Sequence, residues 1–360
     1  MLHPIPIVNF PKILYNSYIK YTLEDIMQNK FLEKLEFNKV LDILQSFAKT
    51  YMGKELCVNL SPSFDKSSVD LILNETSEAK DLLENNGSIP IETLSEIAPY
   101  IPALNSGNAL STKGLLDICF LLKTSRELKE YFSVVDVKSY PLLLKYFDLL
   151  YTNLNIEESI GNKIIDENTI DDHASQKLYS IRKEQKQIKT DIRDKLNYFV
   201  HSATYSKYLQ DNVITMRNDR FVIPVKEEYR GQIKGFVHDI SASGSTVFIE
   251  PLSIFELNNK LNSLLLEENI EISKILTSLS NLLFPITREL SEDLKLIGKL
   301  DFIFAKAKYS MSINGVCPII NETKNINLVS ARHPLISPDI VVPISINLGD
   351  DFSSLIITRT

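Results

Sequence analysis

Five basic side chains recur between residues 217 and 234. Arg217, Arg220, Lys226, Arg230 and Lys234 alternate with Met216, Phe221, Tyr229 and Phe236, as they would on a ribbon with one wet face. Cations at that spacing can neutralise successive phosphates of a polyanion. Such contact ignores sequence and weakens with salt, with a log–log slope of about −0.9 per phosphate neutralised. Just downstream, Ser243 and Gly244 lie in the run SASGS, where a glycine turn among hydroxyls can form an anion nest. The alternation alone fits a solvated face equally well, and the choice depends on where these residues are held. Other constellations are weaker. His238, Asp239, Ser241 and Ser243 supply triad residue types, but they crowd onto one turn, which makes triad geometry a poor expectation. Asp171, Asp172 and His173 are consecutive, and helix capping explains them better than a metal. Gly53-Lys54 lacks the upstream glycine and the following hydroxyl residue of a phosphate-binding loop. No catalytic or metal-ligating residue is therefore assigned.

The elements that must position the basic residues belong to a chain of 360 residues, long enough for two or three domains. Apolar residues make up 44% and charged residues 24%, which excludes a disordered tail and a multi-span membrane protein. Eleven glycines disfavour glycine-lined loops and favour long helices. Cys57, Cys119 and Cys317 are odd in number and far apart, so a reducing, cytoplasmic setting fits best. The net charge is −7, yet residues 176 to 235 carry thirteen Lys/Arg against seven Asp/Glu. That window is +6 and the remainder −13, an asymmetry suited to concentrating a polyanion on one part of an acidic protein.

Residues 1 to 26 carry prolines and scattered aromatics without a signal-peptide core, and are expected to be a leader outside the fold, which begins near Met27. Phe31 to Ala48 predicts a helix interrupted near Asn38. Further helices are expected over Ser67 to Asn85, Thr93 to Ala98 and Ser111 to Phe132, with Asn86-Gly87 as a C-cap and Ser111 as an N-cap. From Gln176 to Val200, Leu178, Ile181, Ile188, Ile192, Leu196 and Phe199 follow a 3,4 spacing, with Gln185 at the remaining seam position. Asp171, Asp172 and Ser175 stand at the N-terminal end of that run. A second run extends from Ile254 to Phe284, its heptads broken once by Glu268 and Glu271. The two predict an antiparallel pair of arms about 37 and 46 Å long. Residues 213 to 251, rich in Val, Ile, Phe and Thr and punctuated by turn residues, predict a small β module between them, with Pro224 at a strand edge or bulge. Its place at the end of two arms favours phosphate contact. Helix is expected again over 302 to 317, then strands over Val341 to Leu348 and Phe352 to Thr358.

The segments LEFNKVLDIL (35 to 44), IDDHAS (170 to 175), YSKYLQD (205 to 211), residues 214 to 251, ELNNKL (256 to 261), LDFIFAKAKYS (300 to 310) and ARHPLI (331 to 336) together resemble the MutS family, in its MutS-II branch. The resemblance covers residues 27 to 358. It implies a mainly α fold: a helical core and lever over 27 to 175, an ascending arm over 176 to 212, a β clamp at the tip over 213 to 251, a descending arm and lever over 252 to 320, and over 321 to 360 the start of a truncated α/β P-loop ATPase domain. Complete members of that branch resemble ATP- and Mg-dependent homodimers that encircle DNA, suppress recombination through a C-terminal nuclease and, in some bacteria, act on collided ribosomes. The clamp match falls on Arg217 to Pro251 and implies DNA or structured RNA as partner, with no membrane. Walker A, Walker B, most of the dimerising surface and the nuclease have no counterpart here, so no cofactor, hydrolysis or cleavage is carried over. The expectation is an N-terminal fragment that binds nucleic acid without sequence preference. The alternative is a helical scaffold whose +6 window only solubilises the arms.

Overall fold

The computed structural model describes residues 30–323, 325–349, 352 and 354–356. The leader expected over residues 1 to 26 lies outside the described residues. The chain divides into two compact units, one of Met1–Ala48, Gly53–Asp81 and Phe302–Thr360, the other of Lys49–Met52 and Leu82–Asp301.

The larger unit is built on helices. α5 (Thr112–Ser133) starts where the Ser111 hydroxyl accepts the Gly114 N–H at 3.2 Å. It buries Leu115, Ile118, Leu121, Leu122 and Leu128, a stripe of helical period. α6 (Pro141–Leu149) places Phe147 flat on Phe132, with centroids 4.2 Å apart. α7 (Leu154–Gly161) is tied to α5 by Arg126, whose guanidinium meets Glu157 at 2.8 Å. The helix expected over Thr93 to Ala98 is absent. Leu94 and Ile97 are buried with helical spacing but in non-helical backbone, and the helix there is α4 (Tyr100–Asn105). Pro99 biases Ala98 away from helical backbone, which defers the start.

Two long helices dominate this unit. α8 (Gln176–His201) begins at Ser175, whose hydroxyl accepts the Leu178 N–H at 3.0 Å and donates to Glu271 at 2.8 Å. α9 (Leu252–Leu283) runs beside it. Contacts pair Lys195 with Ser253, Gln185 with Leu264 and Ser175 with Glu271, so the residue number falls on one helix as it rises on the other. The two are antiparallel, and about 39 and 48 Å long. Ile181, Ile188, Ile192, Leu196 and Val200 share one core with Ile254, Leu261 and Leu264 along the seam. The polar breaks in the pattern have partners: Gln185 donates to the Leu264 carbonyl and, at 2.8 Å, to Glu268, while Arg182 pairs with Glu268 and Asp172. A satisfied polar group inside an apolar seam fixes register at some cost in stability. Asp171 caps the turn Asp172–Ala174, accepting the His173 N–H at 2.7 Å, and His173 stacks on Tyr179. A two-stranded piece, β1 (Ile164–Asp166) and β2 (Thr169–Ile170), precedes α8.

The smaller unit contains α1 (Phe37–Ser46) and a core of Leu44, Ala48, Cys57, Phe302 and Ala305. The break before α1 falls at Glu36, whose φ is 55°, two residues before the expected Asn38. Three further helices are α2 (Tyr51–Val58), α3 (Lys66–Asn86) and α10 (Thr287–Ser312). Near the start of α2, Asp301 accepts the N–H groups of Lys49 and Thr50 at 2.9 and 2.7 Å, as a carboxylate does at a helix N-terminus. α10 starts fifteen residues before the expected helix and stops before Asn314, which turns left-handed. Among the described residues no helix is long and apolar enough to cross a membrane.

Candidate nucleic-acid interface

Residues 213 to 251 fold as a four-stranded antiparallel sheet in the order β3 (Thr215–Arg217), β4 (Arg220–Lys226), β6 (Thr246–Pro251), β5 (Gly235–Ile240). Asn218 and Asp219, both with positive φ, make the two-residue turn between β3 and β4, and Arg217 pairs with Arg220 across it. A Cβ on Gly235 would lie 2.1 Å from the Glu250 carbonyl, so only glycine lets β5 approach β6 there. Pro224 lies inside β4, opposite Phe248. Its carbonyl accepts from Gln210, and N and O of one strand residue point the same way. The missing N–H therefore faces the side on which the β3 ladder has already ended. Phe221, Ile223, Val225, Val247 and Ile249 form one core with Leu196, Val200 and Ile254 from the adjoining ends of α8 and α9.

The sheet is bolted to α9 through a buried carboxylate. Glu250 has no exposed side-chain surface, and Arg220 Nη1 reaches both its oxygens at 2.9 and 3.0 Å. Asn258 Nδ2 donates to it and His238 Nε2 lies against it, each at 2.6 Å. Arg220 Nη2 continues to Asn259, and Asn258 also bonds the N–H and C=O of Phe221, standing in for a neighbouring strand. An ionised carboxylate removed from water is held at this cost only when its lone pairs are met. These donors meet them.

The network sorts the seven residues singled out from the sequence. Arg220 is turned inward, its guanidinium committed to Glu250 and Asn259. Arg217 pairs with Asp239 at 3.1 Å and lies over the Phe248 ring. The other three cations follow the crossover that leaves β4, passes through the turn Glu227–Gln232 and enters β5. Lys226 stands opposite Thr246 at one end of β6, and Lys234 adjoins Gly235, which stands opposite Pro251 at the other, about 17 Å along the strand. Lys226 donates to the Lys207 carbonyl at 3.4 Å. Arg230 is half exposed and 3.8 Å from Glu227, a separation at which a surface pair holds little energy. Lys234 is exposed, and among the described residues no carboxylate pairs with it. Ser243 and Gly244 occupy the β5–β6 turn. The Ser243 hydroxyl lies 2.7 Å from that of Ser245, Gly244 has a φ of 73°, and the Ser245 carbonyl accepts the Glu227 N–H next to Lys226. The triad residue types are dispersed: His238 meets Glu250, Asp239 meets Arg217, and the serines meet one another.

Sequence reasoning missed Glu250 and Asn258. The available signal was a carboxylate set in the apolar run VFIE, where an unpaired charge could not be buried. Lys207, another cation of the basic window, contributes its carbonyl and ammonium to the Lys226 end of the sheet.

No family model matches the chain. Over 333 residues, 92% of its length, it is 39% identical to the endonuclease MutS2 of Ruminiclostridium cellulolyticum. It is 40% identical over 334 residues to that of Clostridioides difficile and 41% identical over 333 residues to that of Clostridium perfringens. In each case the chain spans 42% of the length of the relative it matches. Identity of this degree over nearly all of its residues places the chain in the MutS-II family, of whose members it represents a part.

Proposed function

We propose that residues 213 to 251 are the clamp of a MutS-II protein, that α8 and α9 are the coiled-coil arms that carry it, and that the clamp grips the sugar-phosphate backbone of DNA or structured RNA without reading sequence. The observation that carries this reading is the set of three crossover cations: among the described residues no carboxylate pairs with Lys226 or Lys234, and Arg230 has only the exposed Glu227 at 3.8 Å, while Arg217 and Arg220 hold theirs at 3.1 and 2.9 Å. The Ser243–Gly244 turn beside Lys226 adds hydroxyls and backbone N–H groups to the same end of the sheet. Strand cleavage, which the name of the longer relatives states, is assigned to no residue of this chain. On this reading the chain supplies backbone contact. Fluorescence anisotropy of a labelled duplex tests it. Binding at low salt that fades at moderate salt is expected; absence of binding at low salt would leave a helical scaffold as the function.

A further inference from the structure

We infer that a strip of aromatic rings beside the crossover is a stacking platform for unpaired nucleobases, so that this module takes single-stranded as well as duplex nucleic acid. The inference rests on the backbone contact proposed above and names the form of the ligand. Five rings run from the last turn of α8 to the crossover: Tyr198, Phe199, Tyr205, Tyr208 and Tyr229, with centroids 5.8, 5.0, 6.5 and 5.1 Å apart in that order. Phe199, Tyr205 and Tyr229 lean on the hydrophobic core, which fixes them. Tyr198 is 65% exposed and Tyr208 half-buried.

Core packing alone does not account for the strip. Four of its five members carry a phenol hydroxyl, and among the described residues none of these four hydroxyls has a hydrogen-bond partner. Buried tyrosines usually find one; rings with an apolar body and a wet rim belong to surfaces that receive ligands. The flanking charge is of the matching sign. Lys207 Nζ lies 5.0 Å from the Tyr208 centroid, Lys226 is bonded to the backbone of Lys207, and Arg230 follows Tyr229 directly. Aromatic faces interleaved with cations are what an unpaired strand uses, because each base has a face to stack and each step a phosphate to neutralise. A duplex keeps its base faces inside, so it can use the cations but not the rings.

Three labelled ligands separate these modes: oligo(dT) and oligo(U) of about 20 nucleotides and a duplex of the same length. The protein lacks tryptophan, so Tyr208→Trp installs a lone reporter of stacking. Tyr208→Ala should weaken both oligonucleotides about tenfold and change duplex affinity less than about twofold, and the tryptophan emission of Tyr208→Trp should be quenched by both. Binding of only one oligonucleotide would assign the strip to DNA or to RNA. Equal losses on oligonucleotide and duplex, or an unquenched tryptophan on bound oligonucleotide, would overturn the inference while leaving backbone contact intact. Absence of binding by all three ligands at low salt would overturn both. Should Tyr208→Ala fail to fold, the quenching of Tyr208→Trp decides.

Discussion

Two buried carboxylates in the larger unit are held by different means. Glu250 in the β module receives a guanidinium, an imidazole nitrogen and a side-chain amide. Among the described residues Asp293 on α10 receives neutral donors, the Ser125 hydroxyl at 2.6 Å and the Tyr151 N–H at 2.8 Å. Burial pushes Asp293 up to about 6, against the pull of those two hydrogen bonds. The contrast shows that a cation in a basic window need not be available to a ligand. In the β module one arginine is turned inward so that a charge can be buried, and the cations left over are the ones proposed for the outer contact. In the helical body two neutral hydrogen bonds hold the carboxylate, and the Lys129 charge acts on it without a hydrogen bond.

The largest effect expected from that contrast is on Glu250. Glu250→Ala leaves Arg220 without its carboxylate and should cost about 3–5 kcal/mol in urea unfolding. A loss below about 1 kcal/mol would mean that the network does not hold the sheet. Asp293 sharpens the other side. Its folded-state value lies above the unfolded one, so the unfolded state releases its proton first as pH rises. The contribution of Asp293 to stability is therefore greatest below about pH 4, falls through the interval up to about 6 and is flat above it. The drop should amount to about 3 kcal/mol and should be missing from Asp293→Asn when the two proteins are unfolded in parallel across that range. Parallel curves would show that Asp293 is not held as described. A smaller effect is expected at Asn258→Ala, which strips partners from the Phe221 backbone and from Glu250 together. About 1–3 kcal/mol of stability should be lost, with amide exchange quickened in β4 before the α8–α9 seam. Uniform quickening of both would remove the distinction between the sheet and the paired helices.

The helical seam was the most legible part of the sequence. Residues that recur at three and four positions from Leu178 to Leu196 have no other way to be buried together, and Gln185 announced itself by its place in that spacing. The β module was legible as an element for the same reason: its turns and β-branched runs are local signals. What could not be read was the partner of each charge. Arg220 and Arg230 lie in one basic window, and what separates them is Glu250, twenty or more residues further along and brought opposite only by the β4–β6 register. The strand β7 (Ile326–Ala331) was missed altogether, and β8 (Ile344–Leu348) begins later than the run from Val341 suggested. Pro343 cannot donate to the ladder, and the pairing of Ile326 with Leu348 joins segments more than twenty residues apart. Phe352 and residues 354–356 of the expected second strand form no ladder, and the remainder of that segment lies outside the described residues. β7 and β8 have the apolar content of β4, yet Val329 is 75% exposed whereas Ile223 is fully buried. Strand composition fixes extension, while burial depends on a covering element that local sequence does not reveal.

The central claim is that Lys226, Arg230 and Lys234 neutralise phosphates while Arg220 does not. It is tested most directly by the slope of log affinity against log salt for a duplex, measured on the wild-type chain and on the Lys226→Ala/Arg230→Ala/Lys234→Ala variant. The variant should fold as the wild type does and give a slope shallower by about 3, one increment of about 0.9 for each contact removed. An unchanged slope would contradict the assignment of these three residues.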